Sequence, residues 1–249
     1  MKKYVILSDI HSNYESLKKL SYYDFIDNPE YKIIFLGDYI DGYDLEKDSV
    51  IKTLDYIQDL VTNHNAQAII GNHDEFLIGT AENNYIDYAN WKNNGGRYTM
   101  KNMGIKNTSF TGATYELEHY FYNYYHFLAS LPLYIDTKNI LFVHAGVKWG
   151  LPISEQASRD LLWIRNEYFY DNELKYHKNE YNKVIVSGHT PTSIITDDIT
   201  NPVVKMQHDQ NDIPRYVIDG GSKSGVDYGI NVLILDERGS YIKDFKLKG

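Results

Sequence analysis

Hydrophobic and polar positions follow two patterns along the chain. In the first, short apolar runs end abruptly in polar or ionisable residues. Tyr4–Leu7 leads to Ser8-Asp9-Ile10-His11, Lys32–Leu36 to Gly37-Asp38, and Gln67–Ile70 to Gly71-Asn72-His73-Asp74. Ile140–Val143 leads to His144-Ala145-Gly146, and Lys183–Val186 to Ser187-Gly188-His189. Such near-continuous runs predict strands buried on both faces. In the second pattern, Ser49–Val61 places Val50, Leu54, Ile57 and Val61 at helical spacing. Strand, loop and helix alternate over residues 1–80, which predicts an α/β fold with ligands gathered beyond the carboxyl ends of the strands. Residues 81–130 differ: they are rich in Asn and Tyr, contain Asn94-Gly95-Gly96, and close with a helical stretch, Tyr115 to Leu131. They read as a mostly helical insertion or cap over one edge of the site. From Lys183 onward, strand-like runs alternate with the turn signals Thr190-Pro191, Asn201-Pro202, Asp219-Gly220-Gly221 and Arg238-Gly239. A second sheet with antiparallel members is expected there.

Composition narrows the picture. The chain has 249 residues, against a prior of about 150 per domain. With no internal repeat and no Pro/Ser-rich linker, one domain over residues 1–249 is expected. A hydrophobic fraction of 43% supports a sizeable core. The absence of cysteine removes disulfides, thiolate metal sites and a cysteine nucleophile, and it suits a reducing, cytoplasmic setting. Lys+Arg 25 against Asp+Glu 34 gives a net charge of −9, which attracts cations and repels duplex nucleic acid. The first apolar run is interrupted by Asp9 and His11, too early for a secretory signal, and no run reaches the length of a membrane span. No membrane or nucleic-acid partner is expected.

The chemistry lies at the strand ends. Taken singly, Asp-x-His reads as a cap or turn, and so do Gly-Asp and Gly-Asn-His. Taken together, five successive ends deliver Asp9 and His11, Asp38, Asn72 and His73, His144, and His189. Carboxylate, imidazole and amide oxygen suit manganese, iron or zinc, and two ions sharing one carboxylate need about this many ligands.

Asp-Ile-His (9–11), Gly-Asp-Tyr-Ile-Asp-Gly (37–42), Gly-Asn-His-Asp (71–74), Val-His-Ala-Gly (143–146) and Gly-His-Thr (188–190) stand in this order. The set resembles the calcineurin-like metallophosphoesterases, and more narrowly the bacterial and phage members of the PPP phosphoprotein phosphatase family. Leu-Leu-Trp-Ile-Arg (161–165) and Ile-Asp-Gly-Gly (218–221) fit the same pattern. The resemblance implies a four-layer αββα sandwich of two mixed β-sheets, with a dinuclear metal site at one sheet edge. It also implies that Asp9, His11 and Asp38 hold one divalent ion, manganese being the expected metal. Asp38 would bridge to a second ion held by Asn72, His144 and His189. Gly-His-Thr-Pro-Thr (188–192) lacks the second histidine of the nuclease-like relatives, which favours the phosphatase branch.

Two such ions clamp a phosphoryl group and generate hydroxide near neutrality without a protein base. In-line attack then builds charge on the equatorial and leaving oxygens. By resemblance, His73 is the general acid for the leaving oxygen and Asp41 orients it. Asn72 and Arg165 would bind the phosphate. Gly42 stands where the family carries a second arginine, so one expected clamp is missing; Arg97 and Lys148 are candidates to replace it.

The leading expectation is a dinuclear metal-dependent phosphatase acting on phosphomonoesters, with phosphorylated Ser/Thr and also Tyr proteins, or small phosphoesters, as substrates. The alternatives are a symmetrical dinucleoside tetraphosphate hydrolase or a phosphodiesterase, then a non-catalytic metal-binding scaffold. His64 reads as a helix C-cap, His119 and His126 as packing residues, and His177 and His208 as exposed. Tyr120, Tyr122, Tyr124 and Tyr125 read as core or cap packing, and Asp219 as a strand-end residue without a catalytic role.

Overall fold

The computed structural model describes residues 1–43, 46–225 and 228–249. Its strands are β1 (Lys3–Leu7), β2 (Tyr31–Phe35), β3 (Gln67–Ala68), β4 (Tyr134–Asp136), β5 (Ile140–Val143), β6 (Val184–Ser187), β7 (Val204–Met206), β8 (Arg215–Val217), β9 (Ile230–Asp236) and β10 (Tyr241–Leu247). Its α-helices are α1 (Tyr14–Leu17), α2 (Ser49–Asn63), α3 (Asn72–Ala81), α4 (Tyr85–Trp91), α5 (Arg97–Met103), α6 (Phe110–His119), α7 (Tyr122–Ala129), α8 (Ser158–Trp163), α9 (Asn166–Phe169) and α10 (Thr192–Thr196).

The strands form two mixed five-stranded sheets, in the orders β10-β9-β1-β2-β3 and β4-β5-β6-β8-β7. Strands β1, β2 and β3 are mutually parallel, as are β5, β6 and β8; β9 runs antiparallel between β1 and β10, and β4 and β7 are antiparallel edges of the second sheet. Strand alternation explains the layers. Ile6, Ile34 and Leu233 of the first sheet meet Phe142, Val186 and Tyr216 of the second in one buried cluster. Their chain neighbours Val5, Leu7, Ile33 and Phe35 point the other way, into a cluster with Leu54 and Ile57 of α2. Leu141, Val143 and Ile185 likewise pack on Leu161 of α8 and on Tyr168 and Phe169 of α9. Both faces of the central strands are therefore apolar, and the layers run α, β, β, α, as expected. A slip of one residue would exchange two apolar faces at little hydrophobic cost. Register is instead fixed where strands end, by bonds such as Leu36 N–H to the Leu7 carbonyl at 2.9 Å.

Helix α2 buries Val50, Leu54, Ile57 and Leu60, and the His64 N–H closes it on the Leu60 carbonyl, so His64 is the C-cap residue. Two expectations need correction. The strand read over Gln67–Ile70 pairs only at Gln67–Ala68, because the Ile70 N–H leaves the sheet and donates to the Pro132 carbonyl. The helical stretch from Tyr115 to Leu131 is two helices, α6 and α7, broken at Tyr120–Phe121. Both pack on α3. One straight helix over 115–131 would run about 25 Å, beyond the roughly 15 Å that α3 offers. Among the described residues no helix is long and apolar enough to cross a membrane.

Candidate active site

Asp9, Asp38 and Asn72 follow β1, β2 and β3, while His144, His189 and Asp219 follow β5, β6 and β8. Six parallel strands thus end at one place, where α/β sheets collect ligands. The loops there are held in an unusual backbone conformation. Asp9, His11, Asp38, Asp41 and His189 all have left-handed φ, between 47° and 72°. Non-glycine residues pay on the order of 1–3 kcal/mol each for sparsely populated backbone regions, and such residues persist only where surroundings over-determine them. Here the loops brace one another. Asp9 N–H donates to the Gly37 carbonyl, His11 N–H to the Asp38 carbonyl, and His189 N–H to Asp9 Oδ2 at 2.9 Å. Gly71 permits a close approach, since a Cβ there would overlap the Asp38 backbone nitrogen and Oδ1.

The six candidate ligands come together. Asp9, His11 and Asp38 form one buried group and Asp38, His144 and His189 another, with ligand atoms in each within 4.8 Å of one another. Asp38 belongs to both: its Oδ2 lies 3.6 Å from His11 Nε2 and 3.6 Å from His144 Nε2. Asn72 Oδ1 lies 2.9 Å from His144 Nε2, which adds the amide oxygen to the second group. The ring orientations are fixed from behind. His11 Nδ1 meets the Ile40 carbonyl at 2.7 Å and His144 Nδ1 the Leu36 carbonyl at 2.8 Å, leaving each Nε2 toward the centre.

Several observations test whether these residues fit metal. Asp9 Oδ1 and His189 Nε2 are buried polar atoms without a hydrogen-bond partner, one in each group. An orphaned buried polar atom is costly, and a cation bound between these two groups would satisfy both. Burial and the nearby Asp219 and Asp38 push the Asp9 carboxyl well above the usual range. Burial brings the His11 imidazole down to about 3, and it lowers His144 and His189 too, which favours the ring form that can coordinate a cation. Burial also raises the Asp219 carboxyl, to about 7. For Asp38, burial opposes the charge, but His144, His73, His11 and His189 together hold the carboxyl below its ordinary range. Crowded carboxylates beside neutral imidazoles form a donor set that divalent cations fit.

His73 stands beside this centre. Its Nδ1 is 2.8 Å from Asp41 Oδ2, both side chains are buried, and its ring meets that of His11 edge-on at 5.1 Å. Nδ1 facing a carboxylate assigns the proton to that nitrogen and leaves Nε2 toward the cleft. Segment 81–130 supplies what holds Asp41. Trp91 Nε1–H donates to Asp41 Oδ1 at 2.9 Å, and the Thr99 hydroxyl donates to the same oxygen. Gly95, at φ 118°, carries the chain so close to Asp41 that a Cβ would lie 2.8 Å from the Asp41 Cβ. Sequence reading singled out Asn94-Gly95-Gly96 without seeing this role, and it missed Trp91 and Thr99 altogether.

It also gave Asp74 no task. Asp74 is buried and accepts three backbone N–H bonds, from Asp38 at 2.8 Å, Gly71 at 2.9 Å and Tyr39 at 3.0 Å, tying two site loops together. Asp74→Ala leaves three buried amides without an acceptor and is expected to lower stability by on the order of 3 kcal/mol or more. Urea denaturation reads this directly; an unchanged midpoint would mean that water replaces the carboxylate.

A cleft of about 430 Å³ opens over these groups, lined by His11, Asp38, Asn72, His73, His189 and Asp219 among others. Arg165 lines it as expected, its Nη1 donating to Thr190 Oγ1 at 2.7 Å and to the His189 carbonyl at 3.2 Å. The second cation in the lining is Lys223, which sequence reading did not single out. Arg97 and Lys148 are both exposed and outside that lining; Lys148 borders a separate hollow with Trp149 and Tyr170. The remaining histidines lie elsewhere. His119 and His126 are exposed; His119 stacks on Tyr115, and His126 meets the Tyr122 ring at a tilt. His208 is exposed, whereas His177 is half-buried against the Trp149 ring. Tyr124 and Tyr125 pack on the core, but Tyr120 and Tyr122 are exposed rather than packed, because the break between α6 and α7 turns them outward.

The calcineurin-like phosphoesterase family model matches residues 2–220. Among solved structures, a putative diadenosine tetraphosphatase is similar at a TM-score of 0.59 and 16% identity, covering 98% of this chain and 93% of that one. A protein serine/threonine phosphatase from Saccharomyces cerevisiae is similar at 0.54 and 14% identity, covering 98% and 80%. A metallophosphoesterase from Sphaerobacter thermophilus is similar at 0.53 and 17%, covering 99% and 88%. At these identities the likeness is one of fold. No curated protein sequence matches the chain significantly.

Proposed function

Since the chain belongs to the calcineurin-like phosphoesterase family, we propose that it hydrolyses phosphomonoesters with two divalent ions bound, manganese first among them, and that phosphorylated Ser/Thr side chains are its main substrates. The observation that carries this reading is the sharing of Asp38 between two buried ligand groups, with the His73–Asp41 pair at their edge. Asp9, His11 and Asp38 would hold one ion; Asp38, Asn72, His144 and His189 the other. When bound, the ions supply positive charge for the phosphoryl oxygens and lower the pKa of a coordinated water.

The chain's own residues do the rest. Arg165, fixed by Thr190 and the His189 carbonyl, offers its remaining donors to phosphoryl oxygens. His73 presents Nε2 to the cleft; with both ring nitrogens protonated it gives the Nε2 proton to the leaving oxygen, while Asp41 holds the ring and steadies its charge. Asn94, Asn166 and Ser224 on the cleft lining can bond a peptide main chain, and Trp163, Pro191 and Ile194 give it an apolar wall. These features support a peptide-borne ester over a free nucleotide.

Phosphate release from the manganese-loaded protein tests the reading against four substrates: a phosphoserine peptide, a phosphotyrosine peptide, diadenosine tetraphosphate and a phosphodiester. A phosphopeptide is expected to lead in kcat/KM. A lead for diadenosine tetraphosphate or the diester would replace the substrate class, and no turnover by a fully metallated protein would favour a metal-binding scaffold.

A further inference from the structure

Lys223 belongs to a short turn, Ser222–Ser224, that follows the Asp219-Gly220-Gly221 strand end. Its Nζ lies 2.9 Å from His73 Nε2 and 5.6 Å from the centre of the Tyr43 ring, and its side chain lines the cleft beside Asp38, Asn72 and Arg165. The turn is docked on the loop that carries Asp41. The Tyr43 N–H donates to the Lys223 carbonyl at 3.3 Å, and Asn13 Nδ2 donates to Ser222 Oγ at 3.0 Å. Lys223 is therefore held in place at both its backbone and its ammonium end.

The position suits an anion in the cleft. A half-buried ammonium has given up part of its hydration, and that loss must be repaid by a partner. Among the described residues no ion pair within 4.0 Å joins Lys223 Nζ to a carboxylate, although Asp38, Asp41, Asp219 and Asp9 attract it from farther away; its polar contact is His73 Nε2. An ammonium carries three N–H donors, and one is directed at His73. The others are left for a ligand in the cleft. A phosphoryl group approaching Arg165 and the two ligand groups meets that face of Lys223.

We propose that Lys223 is a substrate-binding residue, contributing the second protein cation on the phosphoryl group alongside Arg165 and standing in for an arginine at position 42. The inference rests on the phosphoesterase reading above and deepens it. Lysine is a compact point charge without the two-pronged geometry of a guanidinium. It follows that Lys223 tolerates varied orientations of the bound phosphate, while Arg165 sets the geometry. Its contact with His73 Nε2 has a further consequence. When phosphate draws the ammonium away, that nitrogen is free to take up a proton from solvent and to face the leaving oxygen.

The test is inorganic phosphate binding by calorimetry, together with steady-state hydrolysis of p-nitrophenyl phosphate, on the manganese-loaded full chain. Lys223→Ala is expected to weaken phosphate binding and to raise KM on the order of 10- to 100-fold, the range for hydrogen bonds to charged groups. Metal content and melting temperature should stay as in the wild type. Lys223→Arg should recover most of the loss, because a guanidinium keeps the charge, and Arg97→Ala should change nothing. Phosphate affinity and KM of Lys223→Ala within about twofold of the wild type would overturn the proposal while leaving the phosphoesterase reading intact. A fall in melting temperature that Lys223→Arg fails to repair would make the residue structural, and would overturn it too. A wild type that neither binds phosphate nor hydrolyses any ester would sink both readings at once.

Discussion

Asp38→Asn is expected to lower phosphate release by roughly three orders of magnitude or more, since the change removes several kcal/mol of metal-borne stabilisation. The substitution keeps size and shape and removes one charge from the only residue common to both ligand groups. Asp38 Oδ2 lies midway between the two histidine nitrogens, 3.6 Å from each, so an amide nitrogen at that point would face both positions with the wrong polarity. The fold should survive. Asp38 Oδ1 accepts the His73 N–H at 2.9 Å, a bond that an asparagine oxygen can keep, and Asp74 continues to hold the Asp38 N–H. Elemental analysis should find less than one manganese per chain after loading, with circular dichroism unchanged. A variant that keeps both its metal and its rate would remove Asp38 from the centre of the argument.

The contrast between Asp38 and Lys223 explains what the sequence made legible. Asp9, Asp38, His144 and His189 each follow an apolar run within a few residues, so strand pattern and ligand chemistry coincide on one short stretch of chain. The same holds for the layers: Ile6 between Val5 and Leu7, or Phe142 between Leu141 and Val143, reads as a strand with two apolar faces. Lys223, Trp91 and Thr99 carry no such mark. They act on His73 and Asp41 across separations of 150, 50 and 58 residues. No local propensity encodes those contacts. The break at Tyr120–Phe121 was hidden for a related reason: aromatic residues have no strong helix preference, and packing on α3 decides where the helix ends. Some signal was present nonetheless. Asn94-Gly95-Gly96 marks a chain that must pass close to something, and Lys223 sits in a glycine-rich turn directly after a strand-end aspartate.

His73 tests the mechanism most sharply, because the identity of the leaving group decides how much its removal costs. His73→Ala should lower kcat by about 10²- to 10⁴-fold for a phosphoserine peptide, the usual worth of a positioned general acid. The seryl alkoxide is a poor leaving group and needs the proton. p-Nitrophenolate leaves readily without one, so the same variant should lose far less with p-nitrophenyl phosphate. Metal content should not change, since His73 lies in neither ligand group. Asp41→Asn should fall between the wild type and His73→Ala. Its Oδ2 would become an amide facing His73 Nδ1, and losing a partner of this kind typically costs about 10–100-fold. Trp91 and Thr99 still hold the other side of that residue, so the fold around it should persist. Equal losses with both substrates would mean that His73 binds the phosphoryl group and protonates nothing. In that case the contact with Lys223 Nζ would join two binding residues, and the leaving oxygen would have to draw its proton from water.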